Sequence, residues 1–340
     1  MHAVVLVGGF GTRLRPLTNT IPKPLLPLGQ RTILEWLMVH LARGGVTDAV
    51  LALGFKPEPF IEAFPNAQCA GVRLSYAIED SPLDTAGAIG FAARTAGIHE
   101  RGESFVVANG DIVTDLSVAS LVAQHALNVR AGAMATIHLT PVDDPSQYGV
   151  VEFDPVPAGA GAANTPSINT PTMNTSSMKK VRGFIEKPAP GTTTSRHVNA
   201  GTYVLEASAL SLMPGDAPLS IERATFPEMV RRGALYAYPT DDYWLDAGRP
   251  ETYRRANLEL VGGRRRDREV AVHVSAHVAS SAQVTDSVVG AGARIGEGAV
   301  VSSSVIFPGA VIGANARVTG CSVMSSVGEA AVVTDQLVAH

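Results

Sequence analysis

The sequence predicts an α/β domain with a Rossmann-like, mostly parallel sheet, followed by a short left-handed parallel β-helix of hexapeptide repeats. The first domain is indicated by apolar strand-like runs that alternate with helical patterns up to about residue 260, because strands separated by helices form crossover units. It is also indicated by a glycine-rich loop directly after the first apolar run, at the carboxyl end of a strand, where such sheets bind ligands. The β-helix is indicated by a 17-residue recurrence of apolar residues after residue 269.

The elements of the first domain follow in order along the chain. The first strand is predicted at 3–7, and an amphipathic helix from Ile33 to Leu41 is predicted to end at Gly44 and Gly45, because glycine commonly terminates helices. Further strands are predicted at 48–53, 73–77, 105–108, 150–153 and 181–185, and further helices at 86–95 and 116–127. This order predicts a sheet that is covered by helices on both faces.

Residues 155–180 interrupt this pattern. The segment is rich in Pro, Ala, Gly, Asn, Ser and Thr, and it contains a degenerate repeat that reads NTPSI, NTPTM and NTSSM over 164–178. Such a composition buries too little apolar surface to offset the entropy that is lost on ordering. We therefore predict a flexible insertion between two strands.

The repeat after residue 269 is regular over three series of apolar positions. Val278, Ile295 and Ile312 follow one another at intervals of 17 residues, and the series 284, 301, 318 and 289, 306, 323 keep the same interval. Three short segments per interval, each with an apolar corner, are typical of a hexapeptide β-helix. The last coil is irregular, because Glu329 stands where an apolar residue is due, and we predict that this coil forms a cap.

These patterns divide the chain into a first domain at 1–262, a basic linker at 263–269 and the β-helix at 270–340. The linker contains the basic cluster Arg264, Arg265, Arg266 and Arg268. We interpret this cluster as a solvated surface segment rather than a phosphate site.

Composition excludes several classes of protein. The net charge of −4 predicts no nucleic-acid partner. Cys69 and Cys321 are the two cysteines, which excludes a disulfide framework and a zinc site. No charged and apolar leader precedes the first strand, and no apolar run is long enough to span a bilayer, so that we expect no signal peptide, no membrane partner and a cytoplasmic protein.

The glycine-rich loop after the first strand is the most informative motif. It reads G-G-F-G-T-R from residue 8 and continues to P-K-P at 22–24. Gly8, Gly9 and Gly11 allow backbone N–H groups to approach a polyanion that a Cβ atom would keep away. Arg13 and Lys23 add positive charge to the same place. Together these features predict a bound nucleoside triphosphate.

Two better-known phosphate motifs do not fit this loop. It contains no G-x-x-x-x-G-K-[ST] run, and Leu14 stands where the dinucleotide fingerprint needs its third glycine. The loop instead resembles the signature of the sugar-nucleotide pyrophosphorylases, nucleotidyltransferases that act on sugar 1-phosphates. The resemblance covers the whole chain apart from 155–180 and implies an enzyme that joins a nucleoside triphosphate and a sugar 1-phosphate into an NDP-sugar and pyrophosphate.

The resemblance also implies roles for individual residues. Three cations, Arg13, Lys23 and Lys187, take the catalytic positions. The nucleotide-binding positions lie in the glycine loop and in two later segments, and they are Leu6, Gly8, Gly9, Gly11, Thr12, Glu79, Thr85, Gly87 and Asn109.

Two aspartates have a sequence context that suits a magnesium ion. Asp111 follows the strand at 105–108, and Asp246 lies in the run W-L-D-A-G. Mg²⁺ is commonly bound by one or two carboxylates together with substrate phosphates. The resemblance assigns the metal to the positions of these two aspartates, so Mg²⁺ is the expected cofactor.

The sugar phosphate is expected at the ends of later strands. Glu186 and Lys187 follow the strand at 181–185, where a carboxylate can accept sugar hydroxyls and an ammonium can bind the phosphate. The resemblance places Lys187 on the attacking phosphate. It also implies that Gly149, Asn199 and Gly201 belong to the sugar-binding segments, with Asn199 bonded to a hydroxyl.

Glu79 bears on the choice of base. In enzymes of this family that read uracil or thymine, a glutamine often takes its place, and a carboxylate only accepts hydrogen bonds. Guanine offers two adjacent donors, which favours GTP. Asp84 departs from the family pattern, where glycine is usual.

The segments around 144–150, 220–222 and 243–246 are most similar to the guanylyltransferases that act on mannose 1-phosphate. The resemblance therefore implies that the product is GDP-mannose. A thymidylyl-, uridylyl- or adenylyltransferase acting on glucose 1-phosphate is the first alternative, and a non-catalytic subunit that senses sugar nucleotide is the second. An acyltransferase role for the β-helix is disfavoured, because His273 and His277 are predicted to face solvent. The open ends of the β-helix predict a homo-oligomer.

Overall fold

The computed structural model describes residues 1–9, 11–54, 57–154, 178–189 and 191–339. The strands of the first domain are β1 (His2–Leu6), β2 (Pro27–Leu28), β3 (Arg31–Thr32), β4 (Asp48–Leu53), β5 (Gln68–Cys69), β6 (Val72–Ile78), β7 (Phe105–Asn109), β8 (Ile112–Thr114), β9 (Ala135–Pro141), β10 (Gly149–Phe153), β11 (Lys179–Glu186), β12 (His197–Leu205), β13 (Leu235–Pro239) and β14 (Trp244–Asp246). Its α-helices are α1 (Ile33–Arg43), α2 (Glu58–Ala63), α3 (Asp84–Thr95), α4 (Ile98–Arg101), α5 (Val118–Val129), α6 (Phe226–Arg231) and α7 (Pro250–Val261).

A ten-stranded sheet forms the centre of this domain, in the order β10-β11-β13-β9-β12-β7-β1-β4-β6-β5. The parallel part that the sequence predicts is β7-β1-β4-β6. Beyond β7 the sheet is mixed, because β12 runs antiparallel to both β7 and β9. Buried apolar residues on the two faces of the sheet form two separate clusters, so the sheet is covered on both sides.

The strands and helices that the sequence predicted end within two residues of the predicted bounds. Thr32 caps α1, since its hydroxyl accepts the N–H of Glu35 while the Glu35 carboxylate accepts the N–H of Thr32. Gly44 follows the last turn of this helix, as predicted. Strand β11 begins at Lys179, so residues 179 and 180 belong to a strand and not to the predicted insertion. The remainder of that prediction, 155–177, lies outside the described residues.

The β-helix consists of three parallel stacks of short strands. Its strands are β15 (His277–Val278), β16 (Gln283–Thr285), β17 (Val288–Val289), β18 (Arg294–Ile295), β19 (Val300–Ser302), β20 (Val305–Ile306), β21 (Val311–Ile312), β22 (Arg317–Thr319), β23 (Ser322–Val323), β24 (Ser326–Val327), β25 (Val332–Thr334) and β26 (Leu337–Val338). Val278 pairs with Ile295 and Ile295 with Ile312, which confirms the 17-residue interval and the parallel β-helix.

The last coil is shorter than the others, and this explains its irregular sequence. Ile312 pairs with Val327 rather than with residue 329, so the coil lacks two residues of the full interval. Val327 fills the apolar position, and Glu329 lies exposed in the following turn. The 17-residue interval therefore does not hold in this coil, and the irregularity that the sequence shows at Glu329 comes from the shorter coil. His277 is exposed and His273 is partly exposed, in line with the prediction for both.

The linker is not a solvated segment throughout. Arg265 is 4% exposed, and its guanidinium donates to the Asp115 carboxylate, with 2.8 Å between Nη2 and Oδ1. It also lies over the ring of Tyr243, with 5.1 Å from its Cζ to the ring centroid. The interpretation of this cluster as solvated is wrong for Arg265, because a carboxylate remote in sequence compensates its burial.

A third apolar cluster joins the two parts of the chain. In this cluster Tyr253 and Leu260 of α7 pack with Val288, Val305 and Phe307 of the β-helix.

In the described part of the chain no helix has the length and apolar character needed to cross a membrane.

Candidate active site

A cavity of about 800 Å³ opens at the carboxyl ends of β1 and β7. The predicted nucleotide site maps onto its wall, with Leu6, Gly8, Gly9, Gly11, Thr12, Arg13, Lys23, Glu79, Thr85, Asn109 and Asp111 among the lining residues. Sequence reasoning missed other parts of the wall, including Gly54, Ala88 and Gly248. Gly54 and Gly248 belong to other loops, which only the folded sheet brings beside the glycine loop.

The glycine loop is held in a shape that a side chain would disturb. Gly11 has φ +57°, and a Cβ atom there would lie 3.0 Å from Thr18 Cγ2 and 3.2 Å from Lys23 Cβ. The Thr18 hydroxyl donates to the Gly11 carbonyl at 2.8 Å. The loop is therefore closed against the stem of Lys23, with its backbone on the cavity wall.

Lys23 lies between the two predicted metal ligands. Its ammonium donates to Asp111 Oδ2 at 2.8 Å and to Asp246 Oδ1 at 3.2 Å, and its side chain is 6% exposed. The pairing of β8 with β14 places Asp246 opposite Ile112, so the backbone itself holds the two carboxylates side by side. The sequence predicted both aspartates and Lys23, but not the ion pairs between them.

The donor chemistry of this pair fits a magnesium ion. Two carboxylates converge on one point beside the cavity, and Asp111 is 41% exposed. No group of three or more His, Cys, Asp or Glu side chains is arranged to hold a metal within the residues described. An ion at this place would need phosphate or water oxygens to complete its shell, which is the usual binding mode of Mg²⁺.

Glu79 is another residue of the cavity wall whose position is fixed. It is 9% exposed, and its Oε2 accepts the N–H of Leu83 at 2.9 Å. Burial raises the pKa of this carboxyl, and the Leu83 N–H opposes that shift by favouring the charged form. The carboxylate is thus held in a defined orientation on the wall where the base is expected.

Thr85 and Gly87, close to Glu79 in sequence, both make contacts within the protein. The Thr85 hydroxyl donates to Glu222 Oε2 and accepts the N–H of Ile221, both at 2.8 Å, so it is engaged within the protein. Gly87 does not line the cavity, since its Cα faces the Ala217 carbonyl at a distance that excludes a Cβ atom. The glycine is needed for packing, and its contact with nucleotide stays a prediction.

The backbone conformation of Asp84 shows how an aspartate fits where the family pattern has glycine. Its φ of +55° lies in the left-handed region, where glycine is favoured. Its Oδ1 accepts the N–H of Thr85 at 2.7 Å, a local bond of the kind that lets aspartate adopt this conformation. The loop therefore keeps its shape, and a carboxylate is added to the cavity wall.

The predicted sugar-phosphate residues form a second group, outside the lining of this cavity. Gly149 and Glu186 are paired across β10 and β11, and a Cβ atom at Gly149 would meet the Phe184 ring and Glu186 Oε2. Lys187 has φ +50°, and its side chain is 58% exposed, with its ammonium 3.1 Å from Glu186 Oε1. This ammonium is available to an incoming anion.

Asn199 and Gly201 shape the backbone between the two groups. Asn199 Nδ2 donates to the Tyr203 hydroxyl and its Oδ1 accepts the Gly201 N–H, both at 2.9 Å, so most of its amide is used within the chain. The Trp244 indole donates to the Ala200 carbonyl at 2.9 Å. Trp244 precedes Asp246 by two residues, so this bond joins the segment predicted to bind sugar to the strand that carries Asp246.

Comparison with known proteins identifies the family of each part of the chain. A family model described as "Nucleotidyl transferase" matches residues 2–262, and one described as "GlmU-like, C-terminal hexapeptide" matches residues 261–335. The mannose-1-phosphate guanyltransferase of Debaryomyces hansenii is 34% identical over 254 residues, which are 74% of this chain and 62% of that protein. The protein of the same name from Schizosaccharomyces pombe is 34% identical over 289 residues, which are 84% of this chain and 72% of that protein.

Solved structures agree with the fold. HddC from Yersinia pseudotuberculosis, also solved in complex with GMP-PN, is 25% identical, with a TM-score of 0.56 over 76% of this chain and 98% of that one. UDP-glucose pyrophosphorylase from Acinetobacter baumanii is 20% identical, with a TM-score of 0.60 over 77% of this chain and 93% of that one. The glycine loop, the aspartate pair beside it and these matches lead to one conclusion: the chain belongs to the nucleotidyl transferase family and carries a GlmU-like hexapeptide region at its C-terminal end.

Proposed function

We propose that this protein joins GTP and mannose 1-phosphate into GDP-mannose and pyrophosphate. The observation that carries the proposal is the convergence of Lys23, Asp111 and Asp246 beside the glycine loop of an 800 Å³ cavity. The mannose-1-phosphate guanyltransferases that the chain resembles at about 34% identity support the choice of reaction.

The reaction needs no protein nucleophile. A phosphate oxygen of the sugar 1-phosphate attacks the α-phosphorus of the nucleotide, and the bond from the α-phosphorus to the bridging oxygen breaks as pyrophosphate leaves. The glycine loop, Arg13 and Lys23 bind the triphosphate, and Lys187 binds and orients the attacking phosphate. Asp111 and Asp246 hold Mg²⁺, which neutralises phosphate charge when it is bound.

The base is assigned to guanine through Glu79. Its buried carboxylate accepts hydrogen bonds only, and guanine presents N1–H and a 2-amino group side by side. The complex of HddC with GMP-PN supports this assignment. A glucose-1-phosphate thymidylyl-, uridylyl- or adenylyltransferase is the alternative that substrate profiling separates from ours.

A pyrophosphate-release assay tests the proposal directly. GTP, ATP, UTP and dTTP are each combined with mannose 1-phosphate and with glucose 1-phosphate. We expect the highest kcat/KM for GTP with mannose 1-phosphate. A clear preference for another pair would overturn the substrate assignment, and no turnover with any pair would favour the non-catalytic sensor.

Glu79→Gln should narrow the preference for GTP over dTTP. The amide loses one acceptor for guanine and gains a donor for a pyrimidine carbonyl, and a mismatched buried polar contact changes kcat/KM by about tenfold to a hundredfold. Asp80→Asn, at an adjacent exposed residue of the wall, is the matched control and should leave the ratio unchanged. An unchanged ratio in Glu79→Gln would exclude this residue as the base reader.

The β-helix is proposed to assemble copies of the chain, while residues 1–262 perform the chemistry. Strands β24, β25 and β26 end their stacks, and such open ends tend to pair. Val332 on this last coil is 71% exposed.

The two cysteines are buried and free, which supports the further proposal of a cytoplasmic location.

Val332→Lys should lower the particle mass measured by light scattering. A charged side chain on the last coil opposes pairing of its open edge. Ile61→Lys replaces an apolar residue on α2 that is 45% exposed, and it should leave the mass unchanged. The same mass for wild type and Val332→Lys would contradict assembly through this coil.

A further inference from the structure

The ion pairs of Lys23 raise a question about where a metal can bind. The Lys23 ammonium contacts the carboxylates of Asp111 and Asp246, which are the two groups proposed to hold Mg²⁺. An ion bound by those oxygens lies about 2.0–2.1 Å from each of them. A divalent cation and an ammonium so close to the same atoms repel one another strongly, so they compete for the pair.

The surroundings leave little room for both cations. A Cβ atom at Gly248 would lie 2.7 Å from Asp246 Oδ1 and 3.1 Å from Lys23 Nζ. No side chain fits at this position, so the backbone of Gly248 packs close to the cluster. A metal that binds both aspartates must move the ammonium away rather than sit beside it.

The ammonium has a second place to go. The Lys23 backbone is fixed in a short turn, where its carbonyl accepts the N–H of Leu26 at 3.1 Å, whereas its side chain is a flexible four-carbon stem. That stem lies against Gly11 of the glycine loop. In the proposed function the triphosphate lies on this loop, within the arc that the ammonium can reach.

We propose that Lys23 is a placeholder cation, which neutralises Asp111 and Asp246 in the free enzyme and is released to the nucleotide phosphates when the metal arrives. This inference rests on the proposed function for the position of the triphosphate. Its consequence is that metal and nucleotide promote each other's binding, because each removes a cost that the other would meet alone. Lys23 thus has two alternative anionic partners rather than one.

Binding of Mn²⁺ without nucleotide tests the placeholder role. Free Mn²⁺ is followed by electron paramagnetic resonance in wild type, Lys23→Met and Lys23→Gln, whose folding is checked by thermal melting. Both variants leave the carboxylates without their cation, so we expect them to bind Mn²⁺ at least about tenfold more tightly than wild type. Lys23→Arg keeps the charge and should bind as weakly as wild type.

Two controls locate the effect. Arg13→Met removes a charge that forms no ion pair with either aspartate among the residues described. Arg13 Nη2 is nevertheless near the cluster, at 3.2 Å from the position that a Cβ atom would take at Gly248, so this variant should raise Mn²⁺ affinity clearly less than Lys23→Met does. Adding Asp246→Asn to Lys23→Met should abolish the gain. Equal or weaker Mn²⁺ binding in Lys23→Met and Lys23→Gln would overturn the proposal.

The outcome is separable from that of the proposed function. Turnover by wild type tests the reaction, whereas Mn²⁺ binding without nucleotide tests the placeholder. A wild type that forms GDP-mannose, with no gain in Mn²⁺ affinity in the Lys23 variants, would refute the placeholder alone. A gain in affinity in a protein that turns over no sugar phosphate would refute the reaction alone.

Discussion

Asp246→Asn should lower kcat by about two to three orders of magnitude, and Asp111→Asn should do the same. Loss of a metal ligand removes several kcal/mol of transition-state stabilisation, and each 1.36 kcal/mol corresponds to about a tenfold change in rate. Asparagine keeps the shape of the side chain, and β14 remains paired with β8 through backbone bonds. We therefore expect a near-normal melting temperature together with the loss of turnover.

The measurement is pyrophosphate release at saturating substrates over a range of Mg²⁺ concentrations. Asp242→Asn is the matched control, because this carboxylate lies in the same segment but pairs with Arg266 at 3.2 Å on the surface. It should keep normal kcat. Near-normal turnover in both Asp111→Asn and Asp246→Asn would remove the metal assignment.

The sequence predicted the parts of the site that depend on local motifs. The glycine loop with Arg13 follows β1, Asn109 is the last residue of β7, and Asp111 follows β7. Parallel strands bring such ends together. Gly87 shows what a motif leaves open, because this glycine packs closely against the backbone near Ala217. Sequence alone does not distinguish a glycine that approaches a ligand from one that approaches another backbone.

Two further features depended on contacts remote in sequence. Gly248 lies against Lys23 only because β14 pairs with β8, and no local pattern reports that pairing. A 17-residue interval counted from Ile312 leads to Glu329, whereas the last coil is two residues shorter and its apolar residue is Val327. An interval in sequence predicts a stack only while every coil has the same length.

Arg265 is the largest departure from the sequence-based expectation. Its neighbours in the basic cluster are exposed or partly exposed, whereas Arg265 is buried and donates to Asp115 and to the Thr114 carbonyl. A run of arginines does not reveal which member meets a buried carboxylate. The partner lies about 150 residues earlier in the chain, and only the fold identifies it.

Arg265→Met should destabilise the protein by about 3–5 kcal/mol, since it leaves the buried Asp115 carboxylate without its charged partner. Asp115 is 5% exposed. Of the hydrogen bonds described to its carboxylate, only the one from the Arg266 backbone N–H, at 2.7 Å, would remain. Arg264→Met is the matched control, because the Arg264 side chain is 77% exposed and lies 3.7 Å from Glu259. Its effect should stay within about 0.5 kcal/mol.

Chemical denaturation of the two variants measures this difference. The double variant Arg265→Met with Asp115→Asn should be less destabilised than the sum of the single changes, because no buried charge then remains unpaired. Arg265 also donates to Thr114, the last residue of β8, and β8 pairs with the strand that carries Asp246. Arg265→Met should therefore lower kcat as well, whereas Arg264→Met should not. Equal unfolding free energies for Arg265→Met and Arg264→Met would show that the buried ion pair does not hold the linker.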